Sequence, residues 1–342
     1  MAILRLLIIH FSFLLILIFI SSPLFAESLT ITDYQPIYRA VIDTSGNLRI
    51  AIRQYKRNNV PNLLLVNPVT LETSAVLKAD IDFDCEKSPF NVQNTPFVRA
   101  LDRYNAPPYK LQNHGMVRAE SSVDGMFLTV DMCPSKRPFE KAFFMAIADL
   151  SRQYGGGTPV AIAITGNWLE NHPEEFAWIF QLKKDGKLAI TWVNHSASHP
   201  FDPRTPLERN FLLTPGIDFE NEVLTTERLL LERGLLPSVF FRFPGLVADG
   251  KLVRKLRELS LIPIGSEAWL AKGEIPKRGS IILVHGNGNE PQGIMKALPL
   301  LRKPQQVKLL PLTEAITGAG LWLVNSQSTF FIGLPQAHLP GF

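Results

Sequence analysis

From residue 126 onward, short apolar runs alternate with longer segments in which apolar residues recur every three or four positions. The runs are rich in Val, Ile and Leu, which is typical of strands buried on both faces of a parallel sheet. About seven such strand–helix units favour an α/β barrel, closed or nearly closed, over an open sheet. The predicted strands are 126–130, 159–164, 188–193, 239–242, 261–265 and 280–284, and the predicted helices are 138–153, 168–184, 219–233, 250–259 and 291–301.

Residues 27–121 have a different pattern, which predicts a small β-rich region. Leu48, Ile50 and Ile52 alternate with polar residues, and an apolar run follows at 63–66. The turn-forming residues of 59–62 lie between them, so we expect a hairpin or small β-meander. Residues 89–112 have no clear period and are interpreted as a linker or a long loop that wraps the next domain. The predicted division is 1–26, 27–121, 122–316 and a C-terminal extension, 317–342.

The first 26 residues have the pattern of a secretory signal peptide. Arg5 precedes an apolar run, which is followed by Pro23 and the small residue Ala26. This order predicts cleavage near Ala26 and an exported protein, periplasmic or secreted. An uncleaved membrane anchor is the alternative, because the run is at the short end for spanning a bilayer.

Charge and cysteine content narrow the classes of partner. The formal net charge is +4, and removing residues 1–26 leaves 34 basic against 31 acidic residues. This excess is too weak and too scattered to indicate nucleic-acid binding, and nothing in the sequence predicts a stable protein partner. The two cysteines, Cys85 and Cys133, are too few for a disulfide scaffold, although the two would be able to pair in an oxidising compartment.

His195 and His199 form the first candidate site. They follow the third predicted strand and are four residues apart, so a helical turn would direct both imidazoles at one cation. Neighbouring Asn194, Ser196 and Ser198 are suited to hydrogen bonds that fix the ring tautomers. The alternative is a pair of surface histidines in a loop rich in Ser and Pro.

Other polar residues also follow predicted strands. Since ligands bind at the carboxyl edge of parallel α/β sheets, we expect these side chains to converge on one rim. Trp269 is predicted to lie at this rim, where it is a candidate for stacking on a pyranose. Besides the two histidines, the residues concerned are Asp131, Arg242, Glu267 and His285.

Several motifs in order over residues 124–316 resemble those of the polysaccharide deacetylase family, that is, the NodB homology domain of carbohydrate esterase family 4. The resemblance implies a distorted (β/α)₇ barrel of the NodB type. It also implies metal-assisted removal of acetyl groups from N- or O-acetylated sugars, with a divalent ion such as zinc and an acetylated glycan as partner. The motifs are TVDMCPS at 129–135, the strand and helix start at 160–174, NHSASHP at 194–200, FRFPG at 241–245 and LVH at 283–285.

The resemblance also implies a role for each matching residue. Asp131 matches the catalytic base, and Arg242 the arginine that keeps the base ionised. His195 and His199 match two metal ligands. His285 matches the general acid and Leu283 a wall of the acetyl pocket.

The chain departs from the family pattern at Met132, where the family has a second Asp that serves as the third metal ligand. A thioether is a poor ligand for such an ion. Either Asp131 is itself a ligand, or water or Cys133 completes the set, or metal binding is weak or lost. The interpretations of Cys133 are, in order, an inert loop thiol, a disulfide with Cys85 and a metal ligand. Glu267 stands where the family has an Asp. These changes leave a second hypothesis open, a degenerate barrel that acts as a carbohydrate-binding or scaffolding protein.

Overall fold

A computed structural model describes residues 29–83, 92–303 and 308–318. The predicted signal peptide at 1–26 and nearly all of the predicted C-terminal extension lie outside these ranges, as does Cys85. Among the described residues, no helix is both long enough and apolar enough to cross a membrane.

The N-terminal region forms a four-stranded antiparallel meander, in the order β1-β2-β3-β4. The predicted hairpin is the β2–β3 pair, but its turn lies at Asn58 and Asn59. Both residues have positive φ, 49° and 64°, which suits the tight turn between two antiparallel strands. The strands are β1 (Ile31–Ile42), β2 (Leu48–Arg57), β3 (Val60–Val66) and β4 (Thr73–Leu77).

The second sheet has seven parallel strands in the order β10-β11-β5-β6-β7-β8-β9, and it curls into a partly open barrel. This confirms the predicted barrel of parallel strands preceded by a β-rich region. The strands are β5 (Phe127–Met132), β6 (Thr158–Ile164), β7 (Leu188–Asn194), β8 (Phe240–Phe241), β9 (Ile262–Pro263), β10 (Ala268–Trp269) and β11 (Ile281–His285).

Helices cover the outer face of this sheet. Two segments differ from the prediction. The helix predicted at 168–184 is divided at His172, because Pro173 begins a new helix. The predicted linker contains a helix at 96–104, which buries Phe97 and Leu101. The helices are α1 (Pro96–Tyr104), α2 (Lys141–Asp149), α3 (Gly166–Asn171), α4 (Pro173–Lys184), α5 (Phe219–Glu232), α6 (Gly250–Glu258), α7 (Pro291–Leu301) and α8 (Glu314–Thr317).

The segment before β5 contacts strands near both ends of the curled sheet. The N–H of Met116 donates to Pro263 O in β9, the strand at one end of the sheet, and the N–H of Ile281 in β11, the neighbour of the end strand β10, donates to Val117 O. The bond to Pro263 supplies a partner for a backbone group of an edge strand.

The N-terminal sheet and the barrel share one apolar core. Ile50 and Leu64 of the meander belong to the same buried cluster as Phe127, Ala161 and Val193 of the barrel strands. A second buried cluster lies between the outer face of the sheet and the helices.

A buried ion pair also joins the two parts. Arg53 of β2 is fully buried, and its Nε lies 2.7 Å from Glu227 Oε2 on α5. Tyr34 donates a further hydrogen bond to the same carboxylate.

Candidate active site

A cavity of about 470 Å³, hereafter the cleft, lies at the carboxyl edge of the parallel strands. All of the predicted site residues except Arg242 and Glu267 line this cleft, and Arg242 lies fully buried against Asp131. The convergence follows from the register, in which His285 at the end of β11 is paired with Asp131 near the end of β5. The predicted residues that line the cleft are Asp131, His195, His199, Trp269, Leu283 and His285.

Asp131 is held by Arg242. Arg242 Nη1 donates to Asp131 Oδ1 over 2.6 Å and also to Thr129 Oγ1 over 2.7 Å, while Nη2 donates to the carbonyl of Gly265. Burial raises the pKa of Asp131, but the nearby Arg242 and the imidazoles lower it by more, so the pKa lies below its ordinary value. The carboxylate is therefore ionised and fixed in orientation.

Three ligand atoms meet beside this carboxylate. The sulfur of Cys133 and one ring nitrogen each of His195 and His199 lie within 4.8 Å of one another. His195 Nδ1 lies 2.7 Å from the carbonyl of Arg242, which can only accept a hydrogen bond, so Nδ1 carries the proton. The unprotonated Nε2 then faces Cys133 Sγ at 3.5 Å. Two imidazoles and a thiolate form a donor set that zinc accepts, with a fourth position left for water or substrate.

The side chain of Met132 points away from the cleft. Because side chains alternate along a strand, Asp131 and Cys133 share one face of β5 and its extension, whereas Met132 packs with Phe144 and Val130 in the outer core. Of the alternatives for the third ligand, the structure favours Cys133. An inert loop thiol at Cys133 stays a prediction from the sequence.

Burial raises the pKa of the Cys133 thiol, but His199, His195 and His285 lower it by more, to well below its ordinary value. The thiolate is the form of cysteine that binds metal ions. The pairing of Cys133 with Cys85 remains a prediction, since Cys85 lies outside the described residues.

The two histidines do not lie on a helical turn, so that part of the prediction is wrong. Residues 195–199 form a loop in which Ser196 and His199 have positive φ, 68° and 48°. This conformation nevertheless brings the two rings within 4.9 Å, edge to face.

Glu222 of α5 supports the same loop, and sequence reasoning did not identify it. Its Oε2 accepts from the N–H groups of Ala197 and Ser198 over 3.0 and 2.8 Å, and its Oε1 accepts from Ser198 Oγ over 2.6 Å. The carboxylate supplies partners for backbone groups that lie between the two histidines, and it restricts the motion of the loop.

His285 has a carboxylate partner that was also missed. Glu290 Oε2 lies 2.8 Å from His285 Nδ1 and also accepts from Trp269 Nε1 over 2.6 Å. Burial lowers the pKa of His285, but Cys133, Glu290 and Asp131 raise it to well above its ordinary value. The only signal in the sequence was an acid in the loop directly after the LVH motif, five residues beyond His285.

The structure contradicts the placement of Glu267 at the rim. Glu267 lies at the amino-terminal end of the sheet, where its N–H donates to the carbonyl of Ile281 and its carboxylate contacts Arg118 and Ser280. It lines no part of the cleft. The physical reason is that β10 begins at Ala268 and is paired with the start of β11, which directs this end of β10 away from the rim.

Trp269 lines the cleft beside Leu283, but one face of its ring is covered. The ammonium group of Lys272 lies 3.7 Å from the ring centroid. A ring in this position forms a wall of the cleft with a single accessible side.

Comparisons with known proteins gave one family model and several solved structures. The model, described as the RP012 protein N-terminal domain, matches residues 32–96, which contain the meander except for Ile31, and the first residue of α1.

The matching solved structures share low sequence identity with this chain. A family 4 carbohydrate esterase from Bacillus anthracis is 16% identical, with 66% of this chain and 94% of that chain covered and a TM-score of 0.42. The family 4 carbohydrate esterase PdaA from Bacillus subtilis is 15% identical, with 64% and 87% covered and a TM-score of 0.42. A pseudoenzyme of the same family from Bacillus anthracis is 14% identical, with 58% and 68% covered and a TM-score of 0.40. Two of these three structures are esterases and one is a pseudoenzyme, and all are of carbohydrate esterase family 4. The sequence motifs resemble those of the same family.

Proposed function

We propose that this chain is an exported hydrolase that removes acetyl groups from N- or O-acetylated sugars of an envelope or extracellular polysaccharide. The observation that carries the proposal is the meeting of three chemical groups in one cleft. These are the Asp131–Arg242 pair, the Cys133–His195–His199 ligand group and the His285–Glu290 pair.

Each group has a distinct part in hydrolysis. A zinc ion held by Cys133, His195 and His199 would polarise the acetyl carbonyl and activate water. Asp131, kept ionised by Arg242, accepts the proton of the attacking water. The Nδ1–H of His285 donates a hydrogen bond to Glu290, so Nε2 is the nitrogen that protonates the departing amine or alcohol.

The ligand group favours zinc over magnesium or calcium. Mg²⁺ and Ca²⁺ bind through oxygen atoms, whereas thiolate and imidazole suit zinc. In the part of the chain that the structure describes, Asp131 is the acid beside this group, with Oδ2 at 3.6 Å from His195 Nε2 and Oδ1 engaged by Arg242.

A carbohydrate-binding or scaffolding protein without catalysis is the alternative. Met132 favours it, because this fully buried residue stands where the resembled family has a carboxylate ligand. A protein without catalysis would have no use for the contact of Arg242 with Asp131 or of Glu290 with His285, which orient a base and an acid. Export is part of both proposals and rests on the pattern of residues 1–26.

The test combines metal analysis with an assay of acetate release on the purified protein without residues 1–26. We expect zinc to be bound and acetate to be released from acetylated sugars. Cys133→Ser should lose the metal and the activity together, since serine is not ionised near neutral pH. Asp131→Asn should keep the metal and lose about 10²–10⁴-fold in turnover. Asp149→Asn, which removes an exposed acid of α2, is the matched control.

Two results would contradict the proposal. Wild-type protein that holds zinc but releases no acetate from amide or ester substrates supports the carbohydrate-binding alternative. Metal content that is unchanged in Cys133→Ser removes the assigned ligand group.

A further inference from the structure

Phe201 is an exposed aromatic side chain at the mouth of the cleft. About 60% of its surface is accessible, whereas most large apolar side chains of the barrel are buried. Its ring stacks on that of Phe211, with centroids 5.1 Å apart and an angle of 20° between the planes. Phe211 in turn contacts the ring of His199 edge to face at 5.8 Å. Two ring contacts therefore connect the exposed face to a metal-ligand residue.

The surrounding chain is built to hold this pair of rings, hereafter the aromatic shelf. Phe211 has a positive φ of 51°, and its N–H donates to the side chain of Asn210. A Cβ atom on Gly245 would lie 2.3 Å from the Phe211 ring, so only glycine leaves room for the ring. This glycine belongs to the FRFPG motif that also carries Arg242.

The loop that carries Phe201 is also fixed. The buried amide of Asn210 donates to the carbonyls of Asp202 and Thr205 and accepts from the N–H of Asp202. A loop ordered in this way presents Phe201 at low entropic cost to a ligand.

The shelf is suited to the face of a sugar. Carbohydrate rings present C–H groups on one face and hydroxyls at the edge, so an aromatic plane bordered by polar side chains matches them. Asp202 and Arg204 supply such a border, since the Asp202 side chain is half-exposed and that of Arg204 is almost fully exposed. A lipid chain would require a longer apolar surface. Trp269 offers only one free face, because Lys272 covers the other.

We propose that the aromatic shelf of Phe201 and Phe211 binds a pyranose unit next to the one that is deacetylated, with the exposed face of Phe201 as the stacking surface. The inference rests on the proposed function in one respect only, which is that the neighbouring unit lies in the cleft. Binding to the shelf is measurable without turnover.

The experiment compares Phe201→Ala with wild-type protein in two assays. Binding of the β-1,4-linked hexamer of N-acetylglucosamine is measured by calorimetry, and acetate release is measured from 4-nitrophenyl acetate, which is too small to reach the shelf. We expect Phe201→Ala to weaken hexamer binding about ten-fold, as for loss of one partly buried aromatic ring. Its rate on the small ester should equal that of wild type.

Two further variants serve as controls. Phe201→Tyr keeps the aromatic plane and should bind the hexamer like wild type. Tyr38→Ala removes an exposed aromatic side chain of β1, outside the cleft, and should change neither measurement.

The proposal would be overturned if Phe201→Ala and wild type bound the hexamer equally, or if wild type did not bind it. A parallel loss of rate on the small ester would also overturn it, because Phe201 would then support the His199 loop. If wild type binds the hexamer but releases acetate from neither compound, the hydrolase proposal fails, and the shelf still stands if Phe201→Ala weakens binding.

Discussion

Replacement of Glu222 is expected to weaken metal binding although the residue contacts no metal ligand atom. Its carboxylate accepts three hydrogen bonds from Ala197 and Ser198, within the loop that connects His195 and His199. The loop includes two residues with positive φ, which external contacts must stabilise. Loss of the carboxylate frees the loop, so binding of the ion has to order it.

The hydrogen bonds set the size of the effect. Bonds to a charged group contribute about 1.5–3 kcal/mol each, and neutral ones about 0.5–1.5 kcal/mol. Glu222→Ala loses all three and leaves two N–H groups without this partner, so zinc affinity should fall about 10–100-fold, the usual range for residues that orient metal ligands. Glu222→Gln keeps an acceptor but loses the charge, and the loss should be about ten-fold or less.

The assay is a zinc titration in competition with a chromophoric chelator, with circular dichroism as the check on folding. Glu220→Ala on the same helix removes an exposed acid and is the matched control. If folded Glu222→Ala binds zinc as tightly as wild type, the loop does not depend on this carboxylate and the reasoning is refuted.

Three further predictions concern other parts of the site and the fold. Met132→Asp should lower the free energy of unfolding in urea by several kcal/mol, because it buries a carboxylate in the apolar core. The new carboxylate points away from the cleft and supplies no metal ligand, so a gain in zinc affinity would contradict the prediction. Glu290→Gln should lower kcat about ten-fold or more with little change in KM. Loss of the Glu290 charge lowers the pKa of His285, so the alkaline limb of the pH–rate profile should move to lower pH. An alkaline limb that does not move would argue against a role of Glu290 in proton transfer. Burial lowers the pKa of His114 from 6.5, so stability should fall with pH below that value, where the unfolded chain binds more protons. The melting temperature of His114→Gln should vary less between about pH 8 and pH 5.5 than that of wild type.

The sequence was sufficient to predict the barrel because its longer strands are continuous apolar runs. β6 and β7 were located to within one residue, and so was α7. β8, β9 and β10 have two residues each, and their bounds depend on hydrogen bonds to neighbours that a local pattern does not contain.

The site was predicted less completely. Asp131 and His285 could be identified because each ends an apolar strand at a motif. Glu222 lies in the middle of an amphipathic helix, and its contacts with the histidine loop depend on how that helix packs. The role of Cys133 had a local signal, because alternation along a strand puts it on the same face as Asp131 and opposite Met132.

The buried pair of Arg53 and Glu227 has a consequence for any attempt to shorten the protein. A fragment that begins at residue 122 would keep Glu227 but lose its guanidinium partner, and would expose the apolar side chains that now contact Ile50 and Leu64. Removing one partner of such a pair costs about 3–5 kcal/mol, a large part of the stability of an ordinary domain. Glu227 lies on the same helix as Glu222, so loss of this ion pair would also disturb the helix that supports the loop of His195 and His199. The meander therefore contributes to the stability of the barrel, and we expect an isolated barrel fragment to be a poor substitute for the whole chain in crystallisation or in assays.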